Sequence, residues 1–238
     1  MKALPKKNRK SGFKEKTDML HAFQQGLAAH QQNQLDIAKM IYQSILDIKS
    51  NYYPALHMMG VLAAQSRDFS AAVDFISRAI KVNSSDAPAY FNLANAYMEL
   101  GRIDEALIGY NNAVALNRNY AEAYANRGIA LQAAGKIQEA IASFDKAIKL
   151  VPNYVDAYLN RGNALRSLEL LDAAEENFRD MLQIAPNHSR ALTALSKILL
   201  TKGKHEEGLR IQSAVFGRIC FDANKGVLIK SKSQYAAV

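Results

Sequence analysis

Residues Ala121–Tyr154 read AEAYANRGIALQAAGKIQEAIASFDKAIKLVPNY, and this stretch of thirty-four residues is copied along the chain. The residues that follow open with the related segment VDAYLNRGNAL. Small residues stand at positions eight and twenty, Gly128 and Ala140, and an aromatic residue, Phe144, stands at position twenty-four. Two helices that cross closely need small residues where their backbones approach, with large side chains beside them. The spacing therefore predicts a unit of two packed helices.

The same register returns in both directions at steps of thirty-four residues, without an insertion. The repeats begin at Met19, Tyr53, Ala87, Ala121, Val155 and Ser189. Their eighth positions hold Gly26, Gly60, Ala94, Gly128, Gly162 and Ser196. A chain built this way folds as a stack in which each repeat contacts its neighbours.

The pattern of Tyr124, Gly128, Ala140, Phe144 and Pro152 resembles the tetratricopeptide repeat (TPR) signature. The resemblance implies an all-α fold, a right-handed α-solenoid of about six helix–turn–helix repeats. It also implies that the first helix of each repeat lines a concave groove. We expect the repeat array to cover residues 19–216.

The turn inside each repeat is marked by glycine in three repeats, at Gly101, Gly135 and Gly203. Glycine adopts the positive φ that commonly ends a helix. Glu169 stands at this position in the fifth repeat. Its turn is therefore expected to take another shape or to carry mild strain.

The two ends of the chain differ from the array in charge. The formal net charge is +8, of which residues 1–16 contribute +6 and residues 217–238 contribute +3, so the residues between carry −1. Residues 1–18 have few apolar side chains and are predicted to be a disordered basic tail. Residues 217–238 contain two short apolar runs around residues 222–226. They are predicted to form a capping tail or a small hairpin.

Motifs for catalysis or for cofactor and metal binding are not found in the sequence. Cys220 is the single cysteine, so neither a disulfide framework nor a thiolate zinc site is expected. The Gly-Lys pairs lack the spacing of a phosphate loop, and the histidines lack metal-ligand spacing. No apolar run approaches the length of a membrane helix. We expect a cytoplasmic protein that is not an enzyme, takes no cofactor and does not insert into membranes.

Asparagines recur on the predicted inner face over three consecutive repeats. Position six holds Asn92, Asn126 and Asn160, and position nine holds Asn95 and Asn163. An amide both donates and accepts hydrogen bonds, so such a row can hold the backbone of an extended peptide. The segments NLANAY, NRGIAL and NRGNAL look like the repeats of O-GlcNAc-transferase-type TPR arrays, and that resemblance implies a peptide-binding ladder. The alternative is that these asparagines bond one helix to another.

The predicted groove differs between its ends. Its first repeats present apolar residues, among them Met58 and Phe91, and its last repeats present Arg166, Arg190 and Lys197. A ligand that is apolar at one end and acidic at the other fits this arrangement.

The predicted function is a scaffold that binds an extended peptide segment of a partner protein in the groove. The alternative is a substrate-recognition arm of, or a partner to, a glycosyltransferase-type enzyme. Specific nucleic-acid binding is not expected, because the array is nearly neutral. Self-association is left open.

Overall fold

A computed structural model describes residues 9–216, 219–222 and 226–229, and the side chains of residues 18–215. Twelve helices and one two-stranded sheet make up this part of the chain. The helices are α1 (Arg9–Gln31), α2 (Leu35–Ile48), α3 (Tyr53–Gln65), α4 (Phe69–Val82), α5 (Ala87–Glu99), α6 (Ile103–Leu116), α7 (Ala121–Ala133), α8 (Ile137–Leu150), α9 (Val155–Ser167), α10 (Leu171–Ile184), α11 (Ser189–Thr201) and α12 (His205–Phe216). The strands are β1 (Ile219–Asp222) and β2 (Gly226–Ile229).

The chain divides into two compact units, Met1–Arg118 and Asn119–Val238. In the first unit, each helix from α1 to α5 packs against the helix that follows it in the chain. Helices α7 to α11 do the same in the second unit. The predicted fold class, an all-α helical-repeat solenoid of about six repeats, is confirmed.

Within a repeat, the small residue at position eight of the first helix lies against the large residue at position twenty-four of the second helix. A Cβ atom added to Gly128 would lie 2.5 Å from Cε1 of Phe144, and one added to Gly162 would lie 2.5 Å from Cζ of Phe178. Phe144 and Phe178 are fully buried. The small residues of the sequence pattern therefore leave the space that the large residue of the paired helix fills.

The turns inside the repeats share one backbone conformation. The residue with positive φ is Asn33, Arg67, Gly101, Gly135, Glu169 or Gly203, one in each repeat. Glu169 has a φ of 58°, compared with 74° at Gly135. Of the two expectations for the fifth repeat, a different turn or a strained one, the structure shows the strained one. A non-glycine residue in this conformation costs about 1–2 kcal/mol.

The ends of the array differ in part from the predicted boundaries. Helix α1 begins at Arg9, so residues 9–18, predicted to be a disordered tail, are helical here. Lys, Arg and Glu are good helix formers and extend a helix that is already nucleated. Residues 1–8 lie outside the described part. Beyond α12, β1 pairs antiparallel with β2, with Ile219 opposite Ile229.

Candidate functional site

The predicted site residues are distributed over both units. Met58 lies on α3, and Phe91, Asn92 and Asn95 lie on α5, all in the first unit. Asn126 lies half-buried on α7 in the second unit. The remaining five are on the first helices of the last two repeats, α9 and α11: Asn160, Asn163, Arg166, Arg190 and Lys197.

The structure brings these last five residues together around a cleft in the second unit, called here the C-terminal cleft. Its volume is about 460 Å³. One wall is α9 and the other is α11, and Val215 of α12 also contributes. The lining residues are Leu159, Asn160, Asn163, Arg166, Ser189, Arg190, Thr193, Ala194, Lys197 and Val215.

The lining of the C-terminal cleft is cationic. Arg166, Arg190 and Lys197 contribute three positive charges, and the lining residues include no carboxylate. Among the described residues, none of these three side chains takes part in an ion pair. The cleft therefore presents uncompensated positive charge next to the amides of Asn160 and Asn163.

In the first unit, Asn92 belongs to a cluster of polar side chains. Its amide lies 3.0 Å from Nε2 of His57 on α3. The Tyr53 hydroxyl donates a hydrogen bond to the Asp86 carboxylate, and Nδ1 of His57 lies 3.6 Å from the same carboxylate. Asp86 also caps α5 by accepting from the backbone N–H of Ala89 at 3.2 Å. This cluster bonds α3 to the beginning of α5.

The surroundings of the cluster shift the pKa values of His57 and Tyr53. Burial lowers the pKa of His57 below its ordinary value, and the Asp86 carboxylate acts in the opposite direction. Burial and the hydrogen bond to Asp86 raise the pKa of Tyr53. Because Nδ2 of Asn92 can only donate a hydrogen bond, Nε2 of His57 is its acceptor, and Nδ1 of His57 faces Asp86 and Tyr53.

The other predicted residues of the first unit take part in packing. Asn95 accepts a hydrogen bond from the Tyr110 hydroxyl at 2.6 Å, within its own repeat. Phe91 stacks in a tilted arrangement on Tyr110, with ring centroids 6.0 Å apart. Met58 packs against the core of the first repeats. Asn92 and Asn95 thus make the helix-to-helix bonds that the alternative interpretation of the asparagines expects.

A second, larger cleft of about 590 Å³ lies at the turn between α11 and α12. Its lining mixes charges of both signs: Gly203, Lys204, His205, Glu206, Glu207 and Arg210. Glu207 and Lys204 are already engaged, since Glu207 pairs with Arg179 at 2.8 Å and Lys204 with Glu175 at 2.9 Å. The lining of this cleft therefore carries both signs of charge, whereas that of the C-terminal cleft carries cations only.

Neither a metal centre nor a membrane span is found in the described part of the chain. Its His, Cys, Asp and Glu residues form no group of three or more that could hold a metal ion. Its helices include none that is both long enough and apolar enough to cross a membrane.

Some residues around the C-terminal cleft were not predicted from the sequence. Ser189 and Thr193 add hydroxyl groups to the lining. Behind the cleft, α10 carries two buried polar side chains, Glu175 and Asn177. The sequence does contain one indication that Glu175 forms an ion pair. Asp172, Glu175 and Arg179 share one face of a helix, where Glu and Arg four residues apart can pair.

Family models match the central part of the chain. Two models described as tetratricopeptide repeat match residues 125–189 and 75–108, and a third, described as TPR repeat, matches residues 94–135. No curated protein sequence matches the chain. The similarity to O-GlcNAc-transferase-type arrays is not confirmed by these matches.

Solved structures share the fold at low sequence identity. The crystal structure of MamA is 24% identical, with a TM-score of 0.66, over 69% of this chain and 96% of MamA. YrrB, described as a TPR protein with an unusual peptide-binding site, is 24% identical, with a TM-score of 0.68, over 78% of this chain and 95% of YrrB. PilF of Pseudomonas aeruginosa is 18% identical, with a TM-score of 0.70, over 83% of this chain and 90% of PilF. The family models therefore match tetratricopeptide repeats within residues 75–189, and these solved structures share the helical-repeat fold.

Proposed function

We propose that this protein is an interaction scaffold without catalytic activity of its own, and that it binds an extended acidic segment of a partner protein in the C-terminal cleft. The observation that carries the proposal is the lining of that cleft, where Arg166, Arg190 and Lys197 have no carboxylate partner among the described residues. Carboxylates of a partner would form ion pairs with these three cations.

Each group of the cleft has a defined part in this proposal. Asn160 and Asn163 hold the peptide backbone, because an amide offers both a donor and an acceptor. The guanidinium groups of Arg166 and Arg190 bind carboxylates with two parallel hydrogen bonds, whereas Lys197 acts as a point charge. Leu159, Ala194 and Val215 provide apolar contact along the same surface.

The residues predicted in the first unit have a smaller part in the proposal. Asn92 and Asn95 are engaged with His57 and Tyr110, and Met58 packs against the core. The apolar end of the predicted ligand would meet Met58 and Phe91 only where these side chains are exposed. The proposed recognition therefore rests on the cationic cleft of the last two repeats.

Two further points support the proposal. TPR repeats commonly serve as protein-binding scaffolds, and one structural neighbour, YrrB, is described as having a peptide-binding site. The chain has a single cysteine, which fits a reducing compartment, and we place the interaction in the cytoplasm.

The proposal is tested with two labelled peptides of equal length, one that alternates Glu with Ala and one in which Gln replaces every Glu. We expect the full chain to bind the Glu peptide more tightly, with an affinity that falls as salt is added. Replacing Arg166 and Lys197 together by Gln should weaken binding by about tenfold or more, since hydrogen bonds to charged groups contribute about 1.5–3 kcal/mol each.

Lys136→Gln is the matched control, because Lys136 is an exposed cation at the turn of the fourth repeat. It should leave the affinity unchanged. Equal binding of the two peptides, independent of salt, would contradict the proposal. So would displacement of the Glu peptide by a short oligonucleotide, which would point to a nucleic-acid partner.

A further inference from the structure

Helix α10 holds two of the buried polar side chains of the second unit. Glu175 and Asn177 are 7% and 2% exposed, on a helix whose other buried residues, Ala174, Phe178 and Met181, are apolar. Burying a carboxylate or an amide is unfavourable unless hydrogen bonds compensate it. The partners of these two side chains therefore show what they hold in place.

Asn177 of α10 forms a hydrogen bond to helix α9. Its amide donates a hydrogen bond to the backbone carbonyl of Tyr158 at 2.9 Å. Tyr158 directly precedes Leu159 and Asn160, which line the C-terminal cleft. In the preceding repeat, the equivalent residue Ser143 donates instead to a carbonyl of its own helix, that of Glu139. The bond from α10 to α9 therefore depends on the asparagine.

Glu175 binds the turn between α11 and α12, in the sixth repeat. Its carboxylate accepts from Nζ of Lys202 at 2.6 Å and from Nζ of Lys204 at 2.9 Å. Lys202 follows the last residue of α11, and Lys204 precedes the first residue of α12. Arg179, one helical turn along α10, donates to the same carboxylate at 2.9 Å.

Two more ion pairs extend this cluster of charges. Arg179 also pairs with Glu207 of α12 at 2.8 Å, and Lys202 also pairs with Asp172 of α10. The side chain of Asp172 is 94% exposed, whereas that of Glu175 is buried. Because Glu175 is the buried member with the most partners, it is the centre of the cluster.

We propose that Glu175 and Asn177 are positioning residues for the C-terminal cleft, each fixing one of its walls to α10. Asn177 fixes α9, which carries Asn160, Asn163 and Arg166. Glu175 fixes the end of α11, which carries Arg190 and Lys197. The inference rests on the proposed function, because it concerns binding of an acidic peptide in that same cleft.

The physical reason is that α9 and α11 both pack on α10, and α10 joins the two walls. The shared core, with Phe178 and Met181 of α10, is apolar and non-directional. Hydrogen bonds and ion pairs are directional, so they fix the rotation and the register of each wall. A site whose groups are held loosely binds more weakly even when every group is present.

The test uses the full chain and the Glu peptide, at a temperature where circular dichroism shows every variant to be folded. Glu175→Gln and Asn177→Ser should each weaken binding by about tenfold. They should also lower the salt dependence of the affinity, because fewer cations reach the peptide together. Serine is chosen for Asn177 because the fourth repeat carries Ser143 at the same position. Glu175→Asp should restore part of the affinity.

Glu176→Gln is the control, since Glu176 is exposed on the same helix. It should change neither the affinity nor its salt dependence. If Glu175→Gln does not fold, Glu175→Leu replaces it, because Leu107 fills the equivalent position of the third repeat. Glu175→Leu should then fold and bind weakly.

The outcomes separate the two proposals. If the parent chain does not bind the Glu peptide, the proposed function fails, and this inference fails with it. If the parent binds, and replacing Arg166 and Lys197 weakens binding while the folded Glu175 and Asn177 variants bind as the parent does, the positioning inference is overturned. In that case the proposed function stands, and Glu175 and Asn177 contribute only to stability.

Discussion

The side-chain amide of Asn92 donates a hydrogen bond to Nε2 of His57, at a distance of 3.0 Å. The bond joins α5 to α3, the first helices of two successive repeats. It occupies the amide that the sequence pattern assigns to ligand binding, so this asparagine contributes to the cohesion of the array.

Replacing Asn92 by Ala should destabilise the protein by about 0.5–1.5 kcal/mol, because it leaves a half-buried ring nitrogen without its donor. Urea unfolding measures the change. Asn163→Ala is the control: Asn163 is exposed in the C-terminal cleft, and its replacement should leave the unfolding midpoint unchanged. An Asn92→Ala variant as stable as the parent would argue against this structural role.

The contact between Gly128 and Phe144 predicts the effect of a single added methyl group. Gly128→Ala would place Cβ 2.5 Å from the Phe144 ring. Alanine favours a helix over glycine by about 1 kcal/mol, but overpacking a dense core costs about 1–3 kcal/mol. We expect net destabilisation in urea unfolding. In a double-mutant cycle, Phe144→Leu should recover part of the loss, since the smaller side chain makes room. Additive effects would show that the two residues are not in contact.

The strained turn at Glu169 predicts a stabilising substitution. Glu169→Gly should raise the free energy of unfolding by up to about 1 kcal/mol, because relief of the positive φ exceeds the added entropy of the unfolded chain. The matched change is Gly135→Ala, at a φ of 74° with no atom within 4 Å of the new Cβ. It should destabilise, although it meets no neighbour. Thermal unfolding checks both signs, and a destabilised Glu169→Gly variant would show that strain is not the dominant effect.

The pH dependence of stability should depend on Glu175. Hydrogen bonds from Lys202, followed by those from Lys204 and Arg179, lower its pKa from 4.5 to about 2. The unfolded chain therefore binds this proton more readily, and stability rises with pH between the two values. The contribution of Glu175 is complete above pH 4.5 and is lost as the pH falls through about 2.

Urea unfolding as a function of pH measures this effect. Glu175→Gln should flatten the acid branch of the stability profile, because glutamine does not titrate. Glu176→Gln should leave the profile as in the parent. An unchanged acid branch in Glu175→Gln would show that other carboxylates govern it.

The sequence predicts most of the secondary structure because each repeat is specified locally. The small residues at positions eight and twenty, the aromatic residue at position twenty-four and the turn residue recur at a fixed spacing, and each has a steric cause. The predicted starts of five repeats, from Tyr53 to Ser189, coincide with the first residues of α3, α5, α7, α9 and α11. The first repeat is the exception, because the charged residues from Arg9 onward continue its helix.

The sequence predicts less of the candidate site than of the secondary structure. The sequence alone determined which residues lie on the first helices of the repeats, since that follows from the period. It did not determine which of them bond to a neighbouring helix. Asn92 and Asn160 occupy the same position in their repeats, yet His57 engages Asn92, whereas Asn160 lines a cleft.

Only the tertiary structure decided that difference, because it depends on the residue that each neighbouring helix supplies. The same is true of Glu175, which lies at a position where four of the other five repeats carry apolar residues such as Leu107. Its partners Lys202 and Lys204 are distant in sequence and reach it only when α11 packs on α10. A repeat period specifies contacts within and between repeats on average, whereas hydrogen bonds and ion pairs depend on the individual side chains that packing brings together.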